Sequence, residues 1–213
     1  MVSLLKLAKP AEMDVLVENK LRKYREIYNM QPIGTGNARR KYSGICVLAA
    51  TILMLALTQL LERRGIIEFG NSFLIDSENA FIRTLVIILT FAILTIIYVP
   101  IHEFLHYLLF PKRKGISAYI IFFLPKFIAI FYDGFMSKRR YLLMLIAPFL
   151  TINILLAFLG VFLSNYEHIL SLVFLNFALS IYDLFAFCDA FKHIPSGARV
   201  YAAHYTVDAP TSI

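Results

Sequence analysis

Two histidines and a glutamate form the pattern in this chain that most clearly predicts chemistry. The stretch His102-Glu103-Phe104-Leu105-His106 has the form His-Glu-x-x-His and lies inside a long apolar segment. Histidines four residues apart share one face of a helix, so both imidazoles can reach one metal ion. The glutamate beside the first histidine is placed to take a proton from an attacking water. We therefore expect His102 and His106 to bind a metal and Glu103 to act as a general base.

A purely structural explanation is that the two histidines lie at a helix end and that the glutamate is solvated. Ionisable side chains within an apolar, membrane-type segment are costly to bury, however, and by default they are functional. We favour the metal site for that reason.

A catalytic zinc ion usually has three protein ligands and an open position for water. The last apolar segment offers Asn176, Ser180 and Asp183, which share one helical face. Asp183 is the only acidic residue well inside that segment, so we expect it to be the third ligand of a single Zn²⁺. Asn176 and Ser180, and Asn153 in the preceding segment, either support the ligands and contact substrate or form hydrogen bonds between helices. Ala147-Pro148 is expected to set a close approach or a kink near the site.

The composition predicts that these residues belong to an integral membrane protein. Of the 213 residues, 59% are hydrophobic and 16% are charged, and the mean hydropathy is +0.70. Soluble domains have about 45–50% apolar and about 25% charged residues, and a fold of this length leaves about 30% of its surface exposed. So much apolar surface excludes a soluble globule and a disordered chain, and two cysteines offer no disulfide framework.

Four segments are long and apolar enough to cross a bilayer as helices, which takes roughly 17–25 residues. They are Ser43 to Leu61, Phe81 to Phe110, Tyr141 to Ser164 and His168 to Phe191. Lysine and arginine concentrate before the first segment and between the second and third. Cytoplasmic loops carry such an excess, so the net charge of +7 indicates topology rather than nucleic-acid binding. We expect a multi-pass protein of the cell membrane with both termini in the cytoplasm and no cleaved signal peptide.

The segment from Ile116 to Tyr132 is apolar but is interrupted by Pro125-Lys126. As a fifth span it would move the basic residues 138–140 outside, against the charge rule. Its β-branched and aromatic residues predict a β-hairpin or a re-entrant segment instead.

With four spans, the second and the fourth run in the same direction, which brings the expected ligands to one depth. At about 1.5 Å per residue, His102 and His106 lie roughly 13 and 7 Å from the inner end of their span. Asp183 lies about 12 Å from the inner end of its own span. The three side chains can therefore meet.

An apolar stripe with basic residues around it predicts an N-terminal helix from about Ala11 to Asn29. This helix either lies on the anionic inner leaflet or packs on the protein's own cytoplasmic face. The expected fold is an all-α polytopic membrane protein with four transmembrane helices, a hairpin or re-entrant segment between helices 2 and 3, and this amphipathic helix. The expected divisions are 1–42 for the N-terminal segment, 43–195 for the four-helix transmembrane domain that holds the metal site and 196–213 for a cytoplasmic tail.

These motifs resemble those of known families. A His-Glu-x-x-His near the inner end of a span, then a short hairpin-like stretch, then a helix with Asn and Asp, is similar to the site-2 group of intramembrane zinc metalloproteases. The stretches HEFLHYLLF, RRYLLMLIAP and NFALSIYDL more closely resemble a bacterial family of membrane zincin peptidases, over about residues 81–197. The resemblance implies zinc bound by His102, His106 and Asp183, with Glu103 as the base.

The expected function is zinc-dependent hydrolysis of peptide bonds in membrane-protein substrates near the cytoplasmic face, with the hairpin holding the substrate as an added strand. One alternative is a zinc-binding membrane transporter, although four spans are few and no internal repeat is visible. The other is an inactive relative that binds membrane proteins, although nothing would then require Glu103. The expected partners are a membrane-protein or peptide substrate and the lipid bilayer, with no nucleic acid; the oligomeric state stays open.

Overall fold

The computed structural model describes residues 5–33, 80–112, 116–122, 128–163 and 166–208. These ranges are mostly helical, with α1 (Pro10–Tyr28), α2 (Ala80–Leu108), α3 (Lys138–Leu163) and α4 (Tyr166–His193). They also contain the short strands β1 (Leu5–Ala8), β2 (Gln31–Pro32), β3 (Ala118–Phe122), β4 (Ile128–Tyr132), β5 (Met136–Ser137), β6 (Arg199–Tyr201) and β7 (His204–Thr206). The prediction of an all-α protein is therefore wrong, because strands are present beside the helices.

Helices α2, α3 and α4 coincide closely with the second, third and fourth predicted spans. Within them, Lys138–Phe162 and Leu172–His193 are long and apolar enough to cross a membrane, and Ala92–Leu108 is a shorter apolar helix. The first predicted span, Ser43 to Leu61, lies outside the described residues. Two of the four predicted spans thus meet the length and hydropathy that a crossing requires.

The chain between α2 and α3 forms a β-hairpin. β3 and β4 pair antiparallel, from Ala118 opposite Tyr132 to Phe122 opposite Ile128. β1 pairs in parallel with the other side of β3, which gives the order β1-β3-β4. Ile, Phe and Tyr dominate both hairpin strands and suit a pleated, half-buried surface better than a re-entrant helix. Among the described residues, β4 is therefore an edge strand.

A second sheet joins segments that are far apart in the sequence, in the order β2-β7-β6-β5. All neighbouring strands of this sheet are antiparallel. The sheet therefore joins the N-terminal segment, the two residues before α3 and the C-terminal tail. Two- and three-residue strands carry too little alternation for a sequence pattern to reveal them. The residues Gln31-Pro32 contribute one of these strands.

Helix α1 packs its apolar stripe on the protein. Met13 and Leu21 are buried, and the ring of Tyr24 has its centroid 4.9 Å from that of Phe135 and 5.1 Å from that of Tyr201. Aromatic pairs at such separations are attractive beyond the area that they bury. This packing favours the second of the two predicted positions for the helix, against the protein rather than against lipid.

A buried carboxylate fastens α1 to the second sheet. Asp133 forms an ion pair with the Lys20 ammonium and accepts a hydrogen bond from the Tyr201 hydroxyl at 3.1 Å. Burial, and then the Asp133 charge, raise the pKa of Tyr201 far above its usual value. The hydroxyl consequently stays protonated and keeps donating to Asp133.

The chain divides into two compact units. The first comprises Met1–Arg40, Val99–Pro148 and Asp183–Ile213, and the second comprises Lys41–Tyr98 and Phe149–Tyr182. The core of the first unit is formed by buried residues from the helices, the hairpin and the second sheet, among them Phe110, Ala118, Tyr132, Leu145, Ala190 and Val200. This core fixes the helix ends that carry the chemically interesting side chains.

Candidate metal centre

His102 and His106 lie one turn apart on α2, within the first unit, and both are buried. The four-residue spacing turns both rings to the same side of the helix. Their ring centroids are 4.9 Å apart, and the two Nε2 atoms are 3.2 Å apart. The pair therefore presents two nitrogen atoms to one point.

Asp183, at the end of α4 that belongs to the same unit, completes a triangle with these nitrogens. Its Oδ2 atom lies 2.9 Å from His102 Nε2 and 3.3 Å from His106 Nε2. Its side chain is 17% exposed, so the triangle is enclosed but not sealed. The structure thus brings together the three residues that the sequence singled out as ligands.

The triangle has the dimensions of a zinc site. Zinc binds histidine nitrogen at about 2.0–2.1 Å and carboxylate oxygen at about 2.0–2.2 Å in tetrahedral geometry, which separates two ligand atoms by about 3.3 Å. The observed separations of 2.9, 3.2 and 3.3 Å are close to that value. Three protein ligands also leave the fourth position open, as catalytic zinc sites do. The residues therefore fit a zinc ion.

A backbone carbonyl on α3 fixes the orientation of His106. The Nδ1 atom of this ring lies 2.8 Å from the carbonyl oxygen of Met144. A carbonyl only accepts hydrogen bonds, so Nδ1 carries a proton, and Nε2 of the neutral ring turns a lone pair toward Asp183. Metal-binding histidines are commonly held in this way. Sequence reasoning missed Met144, because a carbonyl is common to every residue type.

This hydrogen bond has an electrostatic consequence. The lone pair of His106 Nε2 and the carboxylate of Asp183 face each other at 3.3 Å in a largely buried site. Two acceptors at that distance repel each other unless a cation, either a proton or a metal ion, lies between them. The arrangement is therefore one that binding of a cation would stabilise.

Glu103 is half-buried beside His102 and contacts the hairpin. Its Oε2 atom accepts a hydrogen bond from the backbone N–H of Ile130 at 3.0 Å. The Asp133 N–H bonds inward to Ser117, and alternate residues of a strand point their N–H groups in opposite directions. The Ile130 N–H therefore points outward, and Glu103 lies at the outer edge of β4.

The other predicted site residues, Asn176, Ser180 and Asn153, are not part of the triangle. Asn176 and Ser180 are fully buried in the second unit. Asn176 donates to the carbonyl of Phe149 at 3.1 Å and accepts from the Ser180 hydroxyl at 3.1 Å. These bonds connect α4 to α3, as the helix-bonding alternative expects. The Oδ1 atom of Asn153 is buried and has no hydrogen-bond partner among the described residues. A contact of these residues with substrate stays a prediction.

Residues 95–199 match the model of a protein family described as "Putative zincin peptidase". The matched segment extends from α2 to β6 and includes all three corners of the triangle and Glu103. No curated protein and no solved structure matches the chain.

Proposed function

We propose that this chain, which belongs over residues 95–199 to that zincin-peptidase family, is a zinc metallopeptidase with His102, His106 and Asp183 as its metal ligands. The observation that carries the proposal is the buried triangle of two imidazole nitrogens and one carboxylate oxygen, with sides of 2.9 to 3.3 Å. Zinc, when bound, activates a water molecule and polarises the carbonyl group of the scissile bond.

Glu103 is the proposed general base. A carboxylate next to the first histidine can take the proton of the attacking water and pass it to the leaving amine. In the free protein its hydrogen bond to Ile130 places the carboxylate between the helix of the two histidines and the edge of β4, where we propose that the substrate binds.

The proposed substrate form is an extended peptide paired with the outer edge of β4. The outward N–H of Ile130 is a donor that a substrate carbonyl can use, as in other cases of strand addition. Glu103 would have to release this N–H when the substrate arrives. A membrane helix would first have to unwind locally, because its own carbonyls are already hydrogen-bonded.

We further propose a multi-pass location in the cell membrane, with both termini cytoplasmic and membrane-protein segments as substrates. Support comes from the large apolar side chains that stay exposed on α3, which include Leu150, Ile154, Phe158 and Val161. A contiguous apolar surface of this kind is unusual on a soluble monomer. The cluster of lysines and arginines before residue 43 and between 112 and 140 supports the orientation.

The Glu103→Gln variant tests the catalytic part of the proposal. The purified variant should keep one zinc per chain and lose at least about 100-fold in peptide hydrolysis, a typical contribution of a general base. His106→Ala is the matched control and should lose both zinc and hydrolysis. Hydrolysis by Glu103→Gln at the wild-type rate would exclude Glu103 as the base, and a wild-type protein that binds no zinc would overturn the proposal as a whole.

A further inference from the structure

We propose that Pro148 is a positioning residue for His106, because the N–H that proline lacks leaves the Met144 carbonyl available to the imidazole. This inference rests on the proposed zinc-binding role of His106. It accounts for a proline inside α3, where proline normally weakens a helix.

The argument begins with the hydrogen-bond pattern of a helix. In an α-helix the N–H of each residue donates to the carbonyl four residues earlier, so the partner of the Met144 carbonyl would be the N–H of residue 148. Proline has no N–H, and its ring crowds the same carbonyl and turns it away from the helix axis. Met144 therefore has a carbonyl without its helical donor.

His106 supplies the donor that this carbonyl lacks. Its Nδ1 lies 2.8 Å from the Met144 oxygen, and both Pro148 and His106 are buried. The contact is part-buried, and a carbonyl that is withdrawn from water is costly to leave without a hydrogen bond. The environment consequently favours the tautomer with the proton on Nδ1, and this tautomer is the one that turns the Nε2 lone pair toward His102 and Asp183.

Two replacements at position 148 separate the missing N–H from the shape of the ring. Pro148→Ala restores the N–H, whereas a lactic-acid residue introduced at the same position has the alanine side chain but no N–H. The restored N–H competes for the Met144 carbonyl, so Pro148→Ala should bind zinc about tenfold more weakly, the lower end of the effect of losing a partner of a ligand. The lactic-acid variant should stay within about threefold of wild type. The measurement is a competition titration with a zinc chelator.

A second measurement uses the metal-free protein. Nitrogen-15 spectra of the histidine rings should show His106 with its proton on Nδ1 in wild type and in the lactic-acid variant, and a mixture of tautomers in Pro148→Ala. Alanine favours helix formation more than proline does, so the thermal unfolding midpoint of Pro148→Ala should not fall.

The outcomes are separable. Wild-type affinity in Pro148→Ala, or equal losses in both variants, would overturn the inference, since the ring rather than the N–H would then matter. A wild-type protein without zinc affinity would overturn the proposed function instead. The tautomer of the metal-free protein would in that case still decide whether Pro148 orients His106.

Discussion

Helix α4 carries two polar clusters that differ in the balance of their hydrogen-bond donors and acceptors. Asn176 and Ser180 alternate donors and acceptors, so each hydrogen bond satisfies both of its atoms. Asp183, by contrast, turns a carboxylate oxygen toward two imidazole nitrogens, of which His106 Nε2 presents a lone pair when the ring is neutral. The first cluster is complete without any ligand, whereas the second is one that binding of a cation would stabilise.

The comparison shows how to separate structural polar residues from functional ones when both lie in apolar helices. Burial does not distinguish them, because Asn176 and His106 are both buried. The balance of donors and acceptors does, since buried polar groups are normally satisfied by the protein itself. An excess of acceptors converging on one point is typical of a metal site.

The largest effect is expected from removing one corner of the triangle. Asp183→Ala should reduce zinc affinity by more than about 100-fold, because the loss of a residue that merely supports a ligand already costs about 10- to 100-fold. Asn176→Ala, on the same helix, should keep one zinc per chain. The measurement is the zinc content of the purified proteins after dialysis. Equal zinc content in wild type and Asp183→Ala would remove the aspartate from the site.

The same Asn176→Ala variant should show its effect in stability. It removes one donor and one acceptor, and it leaves the Phe149 carbonyl and the Ser180 hydroxyl buried without these partners. We expect the free energy of unfolding in detergent to fall by about 1–3 kcal/mol. Ser180→Ala removes a single hydrogen bond and should cost less. Loss of zinc without loss of stability would instead connect Asn176 with the metal centre.

The convergence of His102, His106 and Asp183 could be predicted from the sequence, for specific reasons. The spacing of His102 and His106 is a local property of one helix, and the expected depth of Asp183 came from the charge rule and the helix rise. The Met144 carbonyl could not be predicted as a partner, because it depends on how α2 and α3 pack. The strands of the second sheet were missed because two or three residues give no periodicity. The hairpin was predicted because its strands are longer and rich in β-branched and aromatic residues.

The contact between Glu103 and Ile130 shares one property with each cluster. Its donor and acceptor are hydrogen-bonded to each other in the free protein, but this bond would have to break when the substrate binds. The Ile130 N–H points away from β3, so Ile130→Pro removes this donor without breaking the ladder. We expect kcat/KM for peptide hydrolysis to fall about 3- to 10-fold, the equivalent of one backbone hydrogen bond.

Ile130→Val is the control for this variant, because it keeps the N–H and should retain wild-type kcat/KM. Both variants should keep their zinc, since neither touches a ligand. Unchanged hydrolysis in Ile130→Pro would contradict substrate pairing at this edge of β4.

The smallest effect is expected for His204, which faces a cation where His106 faces a carboxylate. The Nε2 atom of His204 lies 3.0 Å from the Arg25 guanidinium, which can only donate, so His204 accepts the hydrogen bond as a neutral ring. Burial, and then the Arg25 charge, lower the pKa of His204, whereas the Glu18 charge raises it. A histidine facing a cation in this way should not bind a metal, in contrast to His106, which faces a carboxylate.

The lowered pKa of His204 can be detected in the pH dependence of the unfolding midpoint. Because the folded state lowers the pKa of His204, the unfolded chain binds a proton first as the pH falls below the ordinary histidine pKa of about 6.5. Stability contributed by the neutral ring is therefore complete above that value and declines below it. The unfolding midpoint of wild type should fall more between about pH 7 and about pH 5 than that of His204→Gln, which cannot titrate. The difference should be small because the ring is partly exposed, and parallel curves for the two proteins would show that the Arg25 contact does not keep His204 neutral.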